Sequence, residues 1–226
     1  MATLTLITAD VRSQINEPSS SNSNYTDAEL TVFINQAIRF TASQILYPRT
    51  SGTVSPVASQ KTYSLPTDFQ HLLIAYYGDV SISGSIVKLK PVTHERLSEI
   101  SESWLEDVAG NTGKPEYFML LSRTQFVLFP APDTANSVSG NLTRIYYSNV
   151  PTDLSSGSES PNLPTAFHDV IATYVAHLCY GGKLQNPKLS ISKLNEFNLK
   201  MASIKLPTTQ EAFQWAFEFG DSDSIN

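Results

Sequence analysis

The chain has 226 residues and a formal charge of −6, and its 29 serines and 20 threonines outnumber the 15 basic and 21 acidic side chains. One cysteine excludes an internal disulfide framework, four histidines leave little for a zinc site, and 41% hydrophobic residues exclude a disordered chain. The acidic balance, with a pI near 5.2, argues against broad wrapping of nucleic acid, which leaves a basic footprint.

Leu4, Ile7, Val11 and Ile15 recur at spacings of four and three, which predicts a short amphipathic helix stopping before Pro18. The amino terminus has no basic leader, and no stretch approaches the roughly 20 apolar residues of a membrane span, so the chain reads as an intracellular product without a membrane partner. After a Ser/Asn-rich linker, Thr26 and Glu29 form a capping box, with Tyr25 and Leu30 placed as a hydrophobic staple. Leu30, Phe33, Ile34, Ala37, Ile38, Thr41 and Ile45 then make a stripe that ends before Pro48.

The middle predicts strands: Thr62 to Leu65, Leu72 to Tyr77 stopping at Gly78, Ile86 to Lys90, Glu116 to Leu121 and Gln125 to Phe129 as a hairpin, and Leu142 to Tyr147. Within it Thr93 caps a short helix on which Leu97, Ile100 and Trp104 share a face and Glu95, Glu99, Glu102, Glu106 and Asp107 form an acidic ridge. The segments Ser51 to Ser59 and Val150 to Leu163 read as loops, the longer one a surface excursion or a partner contact. Pro164 then opens a helix carrying Phe167, Val170, Ile171, Tyr174 and Leu178 up to Gly181-Gly182, and Asn186-Pro187 starts a second with Leu194, Phe197, Met201 and Ile204 as its seam. Strands bracketed by helices predict an α+β fold: a helical bundle of amino-terminal helices and a carboxy-terminal αα-hairpin, a mainly antiparallel sheet inserted between them, and an extended tail. Helical parts over 4–47 and 164–206 and a β-rich part over 60–150 make one domain, 1–206, followed by a tail, 207–226.

Chemistry is sparse. No nucleophile elbow, phosphate loop, dinucleotide fingerprint or zinc-protease motif occurs, so the expectation is no catalytic residue, no metal and no cofactor. His168 and Asp169 are the one convergent pair that an enzyme reading can use, and Cys179 reads as a small buried residue. On the last helix Lys188, Lys193, Lys200 and Lys205, with only Glu196 opposing them, read as a basic stripe: a solvated face, or an interface for acidic protein neighbours or phosphates. From Pro207 on there is no Lys or Arg, four acids (Glu211, Glu218, Asp221, Asp223), and aromatics at alternate positions, Phe213, Trp215, Phe217 and Phe219. Such a segment either seals its own core or docks on a neighbouring subunit or partner by strand addition.

The order of several signposts resembles the head-to-tail adaptor, or connector, proteins of tailed bacteriophages. They are Tyr25-Thr26-Asp27-Ala28-Glu29-Leu30 with Ile34-Asn35-Gln36-Ala37-Ile38, then Tyr63-Ser64-Leu65-Pro66-Thr67-Asp68-Phe69. Trp104 and Gly113-Lys114-Pro115-Glu116-Tyr117-Phe118 follow, with Leu128-Phe129-Pro130-Ala131-Pro132-Asp133, Tyr146-Tyr147, and Leu163-Pro164-Thr165-Ala166-Phe167-His168-Asp169. The resemblance covers about Thr5 to Leu206 and leaves the acidic tail unmatched. It implies a structural virion protein, made in the host cytoplasm and placed at the head-tail junction. There it forms a homo-oligomeric ring, commonly a dodecamer, that joins the portal protein to the tail or a tail-completion protein. DNA passes its channel without sequence-specific binding, and no catalytic residue is implied. The alternatives are a tail-side completion or tube protein of the same virion, and a cytoplasmic enzyme with an unrecognised site.

Overall fold

A computed structural model describes residues 2–17, 23–79, 82, 85–102, 104, 111–138 and 140–204. The chain divides into two compact units, Met1–Pro48 with Pro151–Asn226, and Arg49–Val150, and the class is α+β.

The first unit is helical: α1 (Leu4–Ile15), α2 (Asp27–Ile45), α4 (His168–Gly181) and α5 (Pro187–Ser203). Each start is written locally. Thr3 caps α1, Thr26 and Glu29 close the capping box of α2, and Asn186 caps α5 with Pro187 in its first turn. Pro164 precedes a single 3-10 turn, Thr165–Phe167, which leads into α4. Leu4, Ile7, Val11 and Ile15 of α1, Leu30, Ile34, Ala37 and Ile38 of α2, and Ile171, Val175 and Cys179 of α4 bury into one core. Burial of these stripes, rather than helix propensity, stabilises helices this short.

The loop before α4 is a surface excursion, with most of its residues exposed, and it is also stitched to the bundle. Asn35, 8% exposed, donates to the Leu154 carbonyl (3.0 Å) and accepts from the Leu154 N–H (2.8 Å). Thr5 and Leu4 donate their backbone N–H groups to the carbonyls of Gly157 (3.1 Å) and Glu159 (2.8 Å), and Leu154 and Leu163 are buried. Within the loop the Glu159 carboxylate accepts from the N–H groups of Ser155 (2.6 Å) and Ser156 (3.0 Å), which pull its pKa down.

Among its described residues the second unit holds the strands β1 (Arg49–Val54), β2 (Thr62–Ser64), β3 (Phe69–Asp79), β4 (Val87–Lys88), β5 (Lys90–Pro91), β6 (Thr112–Gly113), β7 (Tyr117–Leu120), β8 (Gln125–Phe129), β9 (Ala131–Pro132) and β10 (Asn141–Asn149), and a seven-residue helix, α3 (His94–Ile100). One sheet has the order β1-β10-β3-β4, a second β2-β8-β7-β5, and β6 pairs with β9. Pairing is antiparallel except for β5 with β7 and β6 with β9. Ala75, Tyr77, Ile145 and Tyr147 of the first sheet meet Tyr63, Phe118, Phe126 and Leu128 of the second in one core. Behind the second sheet Leu97, Trp104, Met119, Val127 and Phe129 form another cluster.

Four expectations about the strands and α3 are corrected. Residues 49–54 are an edge strand, although Ser51 to Ser59 read as a loop. Thr50, Gly52 and Val54 turn to the core side while Arg49, Ser51 and Thr53 are exposed, an alternation that small hydroxyl residues do not advertise. Ile86 to Lys90 is not one strand. Leu89, 1% exposed, anchors the crossing between the two sheets and gives its N–H to the Ala75 carbonyl (2.9 Å). Strand β3 passes through Gly78 instead of stopping there. At φ +148°, a Cβ on Gly78 would lie 2.5 Å from the Ser85 carbonyl oxygen, so the glycine serves a close backbone approach and not a turn. Trp104 lies beyond α3 and reaches back through Nε1 to donate to Ser98 Oγ at 3.1 Å, so burial is restored by the loop rather than by helical spacing.

Candidate assembly surfaces

The residues available to an enzyme do not converge. His168 is 2% exposed and both ring nitrogens are engaged: Nδ1 accepts from the Ala2 N–H (3.1 Å) and Nε2 donates to the Leu163 carbonyl (3.1 Å). Asp169, the next residue, is exposed, so successive positions of the helix turn the two side chains apart. His177 Nδ1 faces the carbonyl and hydroxyl oxygens of Ser190, both at 2.9 Å, which ties α4 to α5. Burial pushes the Cys179 thiol up to about 12, the reverse of what a nucleophile needs. Among the described residues no three His, Cys, Asp or Glu side chains gather as metal ligands, and no helix is long and apolar enough to cross a membrane. In the strand-rich unit an open cleft of about 540 Å³ is lined chiefly by apolar groups, among them Leu72, Val92, Phe118, Met119 and Leu121.

Helix α5 distributes its charge differently from a single basic stripe. Lys188 and Lys193 are five residues apart, a turn of roughly 140° at about 100° per residue, so they do not share a face. Lys193 donates to Glu196 Oε2 (2.8 Å) and Gln14 Oε1 (3.2 Å); Lys200 meets Glu196 Oε1 (2.8 Å) and donates to Thr173 Oγ1 (2.9 Å). These lysines tie α5 to α1 and α4. The bonds from Lys193 and then Lys200 hold the Glu196 carboxyl below its usual range. Lys188 is exposed, and Lys205 lies outside the described residues, as do Glu106, Asp107 and the tail aromatics Phe213, Trp215, Phe217 and Phe219.

What α5 turns outward is uncharged, apart from Lys188 at its start. Ile191 (61% exposed) and Leu199 (73%) stand among exposed Ser192, Asn195, Asn198 and Ala202, while Phe197 (2%) faces inward against the rings of Tyr174 (5.0 Å) and Phe40 (5.8 Å). The lysines dominate the sequence of this helix and mask the face. The signal was present: Ile191, Asn195, Asn198 and Ala202 repeat at four, three and four. An exposed helix face of small and apolar groups desolvates at low cost, which suits burial in an interface.

The model of the family described as SU10 adaptor protein matches residues 1–215. No curated protein matches the chain.

Proposed function

The chain belongs to the SU10 adaptor protein family and is a structural adaptor of bacteriophages, and from that premise we propose that it forms a ring joining the portal at the capsid vertex to the tail around a channel for DNA. The observation that carries the reading is the family match over 1–215. The family's role speaks for a virion protein whose partners are other virion proteins, and for structure rather than catalysis.

A ring subunit needs two different side faces, since head-to-tail contacts close only when the rotation returns to its start. The uncharged outer face of α5, with Ile191 and Leu199, supports the assignment of one of them, with Lys188 at its rim. The segment 207–226 is assigned to docking on a neighbour through Phe213, Trp215, Phe217 and Phe219, because large aromatics are the residues that most often anchor interfaces. DNA passes through without base readout, and the charge of −6 suits a wall from which it slides.

The test is the mass of the purified assembly together with an image of the particle. Twelve copies of 24.9 kDa give a closed ring on the order of 300 kDa at the capsid vertex. A chain that stays monomeric and never joins virions overturns the reading, and a ring one position further down the tail replaces it with a tail-completion role.

A further inference from the structure

The sheet β1-β10-β3-β4 has one face in the core and one turned out. Its register sets two outward rows: Thr53, Arg144, Tyr76 and Lys88 in the first, and Ser51 and Tyr146 in the second, where the row ends on the buried Ile74. The tyrosine rings of 76 and 146 meet edge to face at 6.0 Å. No carboxylate stands in either row, and Lys88 and Arg144 form no ion pair among the described residues. Beside this face β1 is the end strand of the sheet, and positions 50–54, Thr-Ser-Gly-Thr-Val, have none of the lysines or prolines with which proteins usually protect an edge.

We propose that β1 receives, as an added strand, the carboxy-terminal segment 207–226 of a second copy of this chain, with the segment's acids directed to Arg144 on the adjoining strand β10. This rests on the ring reading and names the acceptor of the tail. Charge complementarity argues for it: the segment has four acids and no base, and the face has bases and no acid. Pattern argues for it too, since aromatics at alternate positions put one side of an extended chain on one face of a sheet. Reach is sufficient, because the 22 residues after Ile204 span up to roughly 70 Å when extended. A ring presents one tail and one β1 edge per subunit, so every β1 edge is filled once.

The test uses two full-length chains, one carrying Thr53→Cys and the other, with an affinity tag, Thr209→Cys, which in an extended strand lies on the same side as Glu211 and the aromatics. They are mixed under assembly conditions, oxidised, and resolved by mass. Each chain holds one introduced thiol and the buried Cys179, so a disulfide joining the tagged to the untagged chain is intermolecular. The expected result is such a heterodimer, with its yield reduced about tenfold by Arg144→Glu, or by neutralising Glu211, Glu218, Asp221 and Asp223. A ring of full mass without the heterodimer overturns this proposal and leaves the ring reading standing, whereas loss of both removes the two together. A disulfide found only inside a single chain that carries both substitutions assigns the edge to its own tail and overturns it. Retention of duplex DNA that is abolished by Arg144→Glu, while cross-linking stays unchanged, gives the face to nucleic acid and overturns it as well.

Discussion

Single side chains in the helical unit hold loops to helices, and their removal has defined costs. Asn35 satisfies both backbone groups of Leu154 from inside the bundle. Asn35→Ala leaves a buried N–H and carbonyl without partners and is expected to cost about 2 kcal/mol, read as a lowered urea midpoint at unchanged slope. Tyr25 is equally committed: its hydroxyl donates to the Cys179 carbonyl (2.9 Å) and accepts from the Lys183 N–H (2.6 Å). Its ring meets Phe33 edge-on at 5.8 Å, and burial raises its pKa. Glu29 links acid to stability. The bond from Lys183 (2.5 Å), then that from the Thr26 N–H (3.0 Å), bring its carboxyl from 4.5 down to about 2. A depressed carboxylate contributes stability that is complete above its unfolded pKa and lost as pH falls through the folded one, so this contribution fades between pH 4.5 and about 2. Glu29→Gln is expected to flatten the acid limb of a stability-against-pH curve in that window, and an unchanged limb refutes the assignment.

The elements divide between those that pack and those that offer a face. Gly78 belongs to the first group, and Gly78→Ala forces a Cβ onto the Ser85 carbonyl at a backbone angle that L residues rarely adopt. Its expected cost is about 1–3 kcal/mol of stability, measurable by thermal unfolding. Helix α5 belongs to both groups. Leu199 is 73% exposed, so Leu199→Glu is expected to change chain stability by less than about 0.5 kcal/mol. On the ring reading it lowers the assembled fraction in light scattering, because a carboxylate would be desolvated at the subunit contact. A variant that assembles as well as the parent removes α5 from the side face. Legibility at this scale followed the strength of local signals. Caps at Thr26, Thr93 and Asn186 lie where the sequence places them. The edge strand 49–54 was invisible, because alternating Ser, Thr and Gly carries no hydrophobic period.

For the whole molecule, the division into two compact units has a direct consequence. Residues 49–150 enclose their own core of Tyr63, Tyr77, Phe118, Phe126, Leu128 and Ile145. Expressed alone they are expected to give a soluble, strand-rich product by circular dichroism, and an unfolded product counts against an independent core. The Cys179 thiol, buried and pushed up to about 12, is expected to react with a thiol reagent at pH 8 only as fast as the helical unit opens.

Sequence alone determined the class and the ends of most helices, because caps, prolines and apolar spacing act within a few residues of each other. It also carried the order of signposts that the family match over 1–215 bears out. Tertiary structure decided what depends on contacts between distant residues. Asn35 clasps Leu154, 119 positions away. The lysines of α5 turn to Gln14 and Thr173 and leave an uncharged face outside. Register across β1, β10, β3 and β4 gathers Arg144, Tyr76 and Lys88 on one sheet face. On a sheet the neighbours of a side chain follow from the register between strands far apart in the sequence, and on a helix from the distant elements packed against each face, so both are contacts that no short stretch of the chain contains.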